Sequence, residues 1–203
     1  MNDLATQLGG IDIYLLDQAL RGRIHAGQRI LDAGCGNGRN LTWFLRQGYD
    51  VSAIDADAQC VAEVRSLVSE LAPHLEGDRV RVGTVADLPF PDDAFDVVVA
   101  IAVDHFAKDP GQFETMLAEL FRVLAPGGVF FARLASSIGL ENAMQPLGNG
   151  RYRMPDGTDR YLVDLDTLLG WTERVGGTLL DPIMSSNVQG LRRMTTWVLR
   201  TAS

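Results

Sequence analysis

The fold is decided by the stretch Ile30-Leu31-Asp32-Ala33-Gly34-Cys35-Gly36-Asn37-Gly38-Arg39-Asn40. A short apolar run ends in the carboxylate of Asp32 and is followed by three glycines at alternate positions. Glycine has no Cβ, so it adopts backbone conformations closed to other residues and lets a ligand approach the main chain closely. A helical pattern follows at once. The stretch therefore predicts a strand–loop–helix turn that binds a small ligand.

The composition predicts one α/β domain over residues 1–203 and a small ligand. The 203 residues, 46% of them hydrophobic, are enough for a sizeable core. A net charge of -8 argues against nucleic acid or an anionic membrane as a partner. The chain has no long apolar run, and its first residues lack the pattern of a signal peptide, so we expect a cytosolic protein. The oligomeric state stays open.

Residues that bind metals are too few and too scattered to form a site. Cys35 and Cys60 are the only cysteines, and they cannot build a metal centre or a disulfide framework without other ligands. The three histidines are far apart in the sequence: His25, His74 and His105. We expect no bound metal.

The next strand ends in a pair of carboxylates. Residues 49–54 read as a buried parallel strand that runs into Asp55-Ala56-Asp57. Nucleotide-binding α/β units place an acid at the end of their second strand, where it binds ribose hydroxyls. The alternative is that an aspartate only caps the following helix. We assign the ribose to Asp55, with Ala56 beside it, and the cap to Asp57.

The glycine spacing separates this loop from dinucleotide-binding loops. A Gly-x-Gly-x-x-Gly motif would need glycine where Arg39 stands, because Gly38 comes one residue early. This disfavours a nicotinamide-dependent oxidoreductase. Asp32 would also repel a pyrophosphate and attract a cation. The residues resemble motif I of the class I S-adenosylmethionine-dependent methyltransferases, in which an acidic residue precedes Gly-x-Gly-x-Gly. The resemblance implies S-adenosylmethionine as cofactor and a Rossmann-like doubly wound sheet of seven strands, closed by an antiparallel C-terminal hairpin.

Two later stretches resemble further motifs of this superfamily. Residues 85–100 resemble the segment in which an acid after the third strand meets the adenine, and residues 120–130 resemble the helix–turn–strand that leads into the fifth strand. The resemblance implies that Asp87 and Leu88 contact the adenine. The predicted cofactor-binding residues are then Asp32, Gly34, Cys35, Gly36, Asn37, Asp55, Ala56, Asp87, Leu88 and Ala102.

A histidine follows the fourth predicted strand. Residues 102–106 (Ala-Val-Asp-His-Phe) lie where open α/β sheets present ligands, at the carboxyl end of a strand. The superfamily places substrate-facing residues here, so His105 is the candidate base or substrate-positioning residue. A histidine that bonds only to local backbone is the open alternative. Adenine-methylating DNA enzymes of this fold carry Asn/Asp-Pro-Pro-aromatic at this position, and its absence disfavours a nucleic-acid substrate.

Two segments outside the predicted sheet are expected to form an N-terminal cap and a lid. Residues 1–27 predict an N-terminal helical cap, whose apolar stripe would be Ile13, Leu16, Leu20 and Ile24. We favour a packing helix over a lid that contributes Asp12 or Tyr14 to the pocket.

Residues 136–163 contain many turn signals and predict a hairpin-like lid over the substrate. Its cluster of Arg151, Tyr152, Arg153 and Arg160 could hold an anionic substrate. A solvated loop with scattered arginines is the open alternative.

The remaining elements complete the predicted sheet. Asp109-Pro110-Gly111-Gln112 has the pattern of a helix start, and the apolar stripe that follows runs through Leu124. Residues 165–175 predict another helix. Residues 178–183 and 194–199 predict the two last strands, with Pro182 suited to a sheet edge.

The predicted function is methyl transfer to a small molecule. Displacement at a sulfonium needs mainly proximity and alignment from the protein. An alcohol acceptor would need a base, whereas a thiolate or another soft nucleophile would not. Residues 34–40 and 48–51 are similar to the tellurite-resistance branch of the superfamily, which favours a soft or anionic acceptor. The alternative is a non-catalytic, regulatory domain that binds adenosylmethionine.

Overall fold

The computed structural model describes residues 4–75, 78–139, 144–189 and 191–203. Its helices are α1 (Leu4–Leu8), α2 (Ile13–Leu20), α3 (Leu41–Arg46), α4 (Ala58–Leu71), α5 (Pro110–Arg122) and α6 (Leu165–Arg174). Its strands are β1 (Arg29–Ala33), β2 (Asp50–Asp55), β3 (Val80–Val82), β4 (Phe95–Ile101), β5 (Leu124–Ala135), β6 (Gln145–Gly148), β7 (Arg151–Arg153), β8 (Asp159–Tyr161), β9 (Thr178–Leu179), β10 (Met184–Val188) and β11 (Arg192–Arg200). A 3₁₀ helix covers Asp104–Phe106. Within these ranges no helix is both long and apolar enough to cross a bilayer.

The large sheet has the order β10-β11-β5-β4-β1-β2-β3, with β9 paired to β11. Strands β3, β2, β1, β4 and β5 run parallel, whereas β11 is antiparallel to both β5 and β10. This is the predicted Rossmann-like sheet with its antiparallel C-terminal hairpin. The strand order reverses between β1 and β4, which is where sheets of this kind bind their ligands.

Both faces of this sheet are buried. Successive residues of β4 alternate between two core clusters, so Val98 and Ala100 face one layer and Val97 and Val99 face the other. Helices α5 and α6 cover the first face, and α2, α3 and α4 cover the second. Helices on both faces explain why the central strands read as continuous apolar runs in the sequence.

Helix α5 starts as predicted and ends earlier than predicted. Asp109 caps it by accepting a hydrogen bond from the backbone N–H of Gln112 at 2.8 Å. The sequence pattern extends the helix through Leu124, but it ends at Arg122. The carbonyls of Arg122 and Val123 accept hydrogen bonds from N–H groups that lead into β4, each at 3.0 Å, so the chain leaves the helix there.

The C-terminal hairpin uses a strand that the sequence pattern missed. Of the predicted strand over residues 178–183, only the two residues of β9 are strand, and the hairpin partner of β11 is β10. Pro182 has no N–H to donate to a sheet. Asp181 is also held outside the sheet by Arg23, whose Nη1 lies 2.6 Å from a carboxylate oxygen.

Helix α2 packs on a different face from the predicted stripe. Of the predicted stripe, Ile13 and Leu20 are 71% and 75% exposed, Leu16 is half-buried, and Ile24 is buried but lies beyond the end of the helix. Leu15 and Gln18 are the buried residues of α2. The helix is anchored to the rest of the fold by polar contacts, because Asp12, its N-cap, pairs with Arg133 and Gln18 donates to Asp181. These bonds set the rotation of the helix and turn the two apolar side chains outward.

The predicted lid region contains a small antiparallel sheet of order β6-β7-β8. Residues 140–143, which belong to the same predicted lid, lie outside the described ranges, as do residues 1–3 of the predicted N-terminal cap. Ser136 and Val163 form a parallel bridge at the base of the segment. The chain thus leaves the large sheet, forms the small sheet, and returns to a neighbouring point of the large sheet.

The side chain of Arg122 ties α5 to the loop after β3. It donates to the carbonyls of Leu88 and Phe90 at 3.0 and 2.8 Å and to both carboxylate oxygens of Glu119 at 2.7 Å. We expect Arg122→Ala to lower the free energy of unfolding by roughly 2–3 kcal/mol in urea titrations, because partly buried acceptors lose a charged donor. Arg21→Ala, which breaks two solvent-accessible ion pairs, with Asp17 and with Asp181, just after α2, is the control and should cost under about 1 kcal/mol. Equal losses in the two variants would contradict this role for Arg122.

Candidate functional site

A cavity of about 530 Å³ opens at the carboxyl ends of β1, β2 and β4. It lies at the point where the strand order reverses. We call it the first cavity. Its walls are Gly34, Cys35, Gly36, Asn37, Arg39, Asn40, Asp55, Ala56, Gly83, Thr84, Val85, Ala86, Ile101, Ala102, Val103, Phe106, Gln112 and Met116. The structure therefore brings together most of the predicted cofactor-binding residues.

The glycine loop needs glycine at Gly34 for two reasons. Its φ of 78° lies in the left-handed region. A Cβ at this position would also lie 2.6 Å from a methyl carbon of Val103, which follows β4. Gly36 has a φ of 51° and no neighbouring atom within 4 Å of such a Cβ. Gly34 thus packs the loop against the end of β4, and Gly36 leaves space open.

The carboxylate of Asp55 braces this loop. One oxygen accepts the backbone N–H of Gly36 at 2.7 Å, and the other accepts the N–H of Asp57 at 2.9 Å. A carboxylate oxygen has a second acceptor site, so both remain able to bind a ligand hydroxyl. Asp57 caps α4 through the N–H of Gln59 at 2.8 Å, as predicted.

Asp32 lies behind the cavity wall. It is 2% exposed, and neither carboxylate oxygen has a hydrogen-bond partner among the described residues. Burial raises its pKa to about 7; the charge of Arg39 lowers that pKa and the charge of Asp55 raises it. A cationic group bound in the first cavity would favour the charged form of Asp32.

The wall after β3 is formed by Gly83–Ala86, and Asp87 and Leu88 lie outside it. The backbone N–H of Asp87 bonds back to the carbonyl of Thr84 at 3.2 Å, which closes a tight turn and leaves the Asp87 side chain exposed. Leu88 is buried in the core, and its N–H donates to Glu119. The residues that line the cavity therefore come just before Asp87, the residue predicted to contact the adenine.

A second cavity of about 510 Å³ adjoins the first and shares Arg39, Ile101, Ala102 and Phe106 with it. It lies between the carboxyl ends of β4 and β5, the amino end of β11, and the small sheet. Its other walls are Asp12, His105, Arg133, Ala135, Met154, Asp156, Thr158, Arg160, Arg193 and Met194. Two cavities that meet at Ala102 can hold two reactants side by side.

The second cavity contains two of the five predicted substrate residues, His105 and Arg160. The guanidinium carbon of Arg160 lies 4.9 Å from the centre of the Phe106 ring. The other three make contacts elsewhere: Arg151 with the carbonyl of Ala107, Arg153 with Asp159, and Tyr152 with the small apolar cluster of Ala135, Met154 and Leu162.

Three arginines that line the second cavity were not predicted as site residues from the sequence. Arg133 is a charged residue inside the apolar run of β5, and this pattern could have marked it as a site residue. Arg39 and Arg193 lie in segments where a charged residue does not stand out in the sequence. Arg133 pairs with Asp12 and lies 4.7 Å from the Tyr14 ring. Asp12 therefore caps α2 and also lines the second cavity.

His105 and Asp104 are adjacent buried titratable groups. Burial first, and the charge of Arg160 second, lower the pKa of His105 to about 4, so its ring is neutral at pH 7. Burial raises the pKa of Asp104 to about 7. The Nδ1 of His105 and both oxygens of Asp104 have no partner among the described residues. In the same ranges no three His, Cys, Asp or Glu side chains form a group that could hold a metal ion.

The family follows from comparison with known proteins. A family model described as a methyltransferase domain matches residues 31–132, half of the chain. The chain belongs to this methyltransferase domain family.

Individual relatives agree with the family. The chain is 36% identical over 125 residues to a probable S-adenosylmethionine-dependent methyltransferase of Mycolicibacterium smegmatis, covering 60% of this chain and 45% of the relative. It is 32% identical over 138 residues to malonyl-[acyl-carrier protein] O-methyltransferase of Pectobacterium atrosepticum, covering 67% and 48%. The chain thus spans about half the length of these relatives.

A solved structure shares the fold. The 1,6-didemethyltoxoflavin-N1-methyltransferase of Burkholderia thailandensis, with bound 1,6-didemethyltoxoflavin and S-adenosylhomocysteine, gives a TM-score of 0.68. The identity is 22%, and the match covers 93% of this chain and 76% of that one.

The contact between Gly34 and Val103 can be tested by a double-mutant cycle. Gly34→Ala should lower the free energy of unfolding by roughly 3 kcal/mol, because it adds both a collision and strain at positive φ. Adding Val103→Gly, which removes both the methyl carbon at 2.6 Å and the Cβ at 2.7 Å, should recover part of that loss, and Gly36→Ala, which meets no neighbour, should cost about 1 kcal/mol. Denaturant unfolding of the variants gives these values. Additive losses in the double variant would show that the two side chains do not collide.

Asp104 should make stability depend on pH. Its pKa of about 7 in the folded protein exceeds its ordinary value of 3.8, so the folded state holds a proton that the unfolded state releases. The contribution of Asp104 is therefore favourable below about pH 4 and is lost as the pH rises to 7. Relative to wild type, Asp104→Asn should become more stable across this interval, by roughly 4 kcal/mol at most.

Urea titrations of the wild type and variant between pH 4 and 8 measure this difference. Asp166→Asn, which removes an exposed carboxylate from α6, is the control. The titration of His105 is common to wild type and variant and cancels to first order. A difference that stays constant with pH would rule out a buried, strained carboxylate at position 104.

Proposed function

We propose that the protein is an S-adenosylmethionine-dependent methyltransferase that acts on a small molecule. The observation that carries the proposal is the pair of adjoining cavities in a chain of the methyltransferase domain family. The first cavity is built by a glycine loop with acidic residues, and the second has the size of a small-molecule site. Bound S-adenosylmethionine supplies an activated methyl group on a sulfonium sulfur.

The first cavity has the chemistry that this cofactor needs. Gly36 leaves open space beside the main chain, and Asp55 retains acceptor sites for ribose hydroxyls. The two unpartnered oxygens of Asp32 lie behind the loop, and an ammonium or sulfonium bound in the first cavity would favour the charged form of this carboxyl group. We assign the adenine to the wall at Thr84–Ala86, and we keep Asp87 as a residue beside that wall.

Ala102 lies where the two cavities meet. Its φ of 61° is left-handed, and its N–H donates to the carbonyl of Arg133 at 2.8 Å, which holds this strained turn in place. A small side chain here leaves a passage between the cavities. The protein contributes proximity and alignment for an in-line displacement between the two cavities.

His105 positions the acceptor in this scheme. A base with a pKa of about 4 removes a proton from an alcohol poorly at neutral pH. The site therefore favours acceptors that do not have to lose a proton to a base, such as thiolates or other anions. This agrees with the soft or anionic acceptor expected from the similarity to the tellurite-resistance branch.

Calorimetric titration with S-adenosylmethionine and S-adenosylhomocysteine tests the cofactor assignment. We expect saturable binding of both, weakened about tenfold or more by Asp55→Ala, because the loop loses its brace and the ribose its acceptor. Asp57→Asn is the matched control, since asparagine also caps helices. Failure of the wild type to bind either compound would refute the proposal.

Mass spectrometry of reaction products tests turnover. Thiols, metalloid oxyanions, carboxylic acids, amines and phenols should be offered with S-adenosylmethionine. We expect a methylated product and stoichiometric S-adenosylhomocysteine from at least one class. Tight cofactor binding without any product would favour the non-catalytic alternative.

A further inference from the structure

The second cavity carries a surplus of positive charge in an acidic protein. Four arginines and two aspartates line it, although the whole chain has 18 basic and 26 acidic residues. The arginines are Arg39, Arg133, Arg160 and Arg193, and the aspartates are Asp12 and Asp156. An excess of guanidinium groups around one cavity favours an anion inside it.

Four arginines and two aspartates leave a surplus of two positive charges. Arg133 is neutralised by its ion pair with Asp12. Within the described ranges, no ion pair joins Arg39, Arg160 or Arg193 to a carboxylate. The hydrogen bond of Arg160 goes to the backbone carbonyl of its neighbour Asp159, at 3.0 Å. Arg160 thus keeps donors for a ligand.

Unpartnered nitrogens among the cavity residues point the same way. In the part of the chain that the structure describes, the Nε of Arg193, the Nε of Arg133 and the Nδ1 of His105 are buried without a hydrogen-bond partner. Such groups cost roughly 1–3 kcal/mol each if they stay unpaired. An anion in the second cavity would give the two guanidinium nitrogens an acceptor after a small side-chain adjustment, and it would also accept from Nδ1 of His105 in the tautomer that carries the proton there.

The sulfonium of the proposed cofactor strengthens the case. The two cavities meet at Ala102 and share Arg39, so positive charge would lie on both sides of the passage. Like charges on the two sides of a passage repel each other. An anionic acceptor between them removes the repulsion, whereas an amine that binds as a cation would add to it.

The apolar walls narrow the class of anion. Ile101, Phe106, Ala135, Met154 and Met194 line the same cavity as the arginines. A cavity of about 510 Å³ with these walls is larger and less polar than an inorganic oxyanion requires. It suits an organic acid whose carbon skeleton lies on the apolar walls.

Resting on the proposed function, we propose that the acceptor is a carboxylic acid with an apolar body, bound as the carboxylate by Arg160 and Arg193 and methylated on a carboxylate oxygen. One carboxylate oxygen accepts from a guanidinium, and the other faces the passage at Ala102. A lone pair of that oxygen forms the new O–C bond while the C–S bond breaks and its electron pair passes to sulfur. The products are a neutral methyl ester and a thioether. No proton is transferred, which fits a neutral His105.

Direct binding to the complex with S-adenosylhomocysteine is the first test. Straight-chain acids from acetate to palmitate, with benzoate and cinnamate, are titrated by calorimetry, each beside the alcohol and the amine of the same skeleton. We expect at least one acid to bind saturably and at least tenfold more tightly than its alcohol and amine. If no acid binds this complex, or if the alcohols and amines bind as well as the acids, the proposal is overturned.

Product analysis is the second test. With S-adenosylmethionine, the acids that bind should yield methyl esters, identified by mass and by release of the acid on mild alkaline hydrolysis. Methylation of a thiol, amine or hydroxyl without ester formation overturns the carboxylate proposal and leaves the methyltransferase function standing. Loss of binding to S-adenosylhomocysteine in the wild type would instead refute the methyltransferase function, so the two failures are distinguishable.

Matched arginine variants locate the binding site. Arg160→Met and Arg193→Met should each raise KM for the acid about tenfold or more and leave the affinity for S-adenosylhomocysteine unchanged, which also shows that the variants fold. Arg160→Lys should recover part of the loss, because it keeps the charge without the planar fork. Arg153→Met, on the same small sheet but paired with Asp159, is the control. An unchanged KM in both Arg160→Met and Arg193→Met would overturn the assignment.

Discussion

The site depends on the close approach of the glycine loop to the end of β4. Strands β1 and β4 pair in parallel, and their carboxyl ends must diverge to make room for a ligand. Gly34 and Val103 lie where the strands diverge, and they are so close together that any side chain at position 34 would collide with Val103. The loop after β1 therefore shapes the first cavity, and the turn at Ala102 that follows β4 opens into both cavities. One packing constraint thus places the two cavities against each other.

The parts of the site that the sequence predicted are those built by local structure. The glycine loop and the cap at Asp57 depend on residues close in the chain, and Asp55 lies at the end of the neighbouring strand, 19 residues after Gly36. All of them lie at the ends of strands recognised by their apolar runs. The order of the sheet also followed, because the family resemblance supplied a topology that periodicity alone does not. Local chemistry and a known topology together account for the fold and for the first cavity.

The parts that the sequence did not predict depend on contacts between distant segments. The arginines of the second cavity come from the glycine loop, β5, β8 and β11, and no spacing in the sequence links them. Helix α2 was predicted with the wrong face inward, because its rotation is set by Asp12 and Gln18 bonding to partners far along the chain. The early end of α5 has the same origin, since the carbonyls at that end are used by the start of β4. The hydrophobic pattern of a segment predicts that helix or strand in isolation, whereas these features depend on the other segments packed against it.

The two cavities also differ in charge, and this difference bears on turnover. Asp32 and Asp55 lie on the side of the first cavity, whereas Arg160 and Arg193 lie on the side of the second. In the proposed reaction, a cationic donor and an anionic acceptor would each be held by the opposite field. Transfer between them would neutralise both, so the products would lose the attraction that bound the reactants. A site arranged in this way would bind its substrates through charge and release its products when that charge has gone.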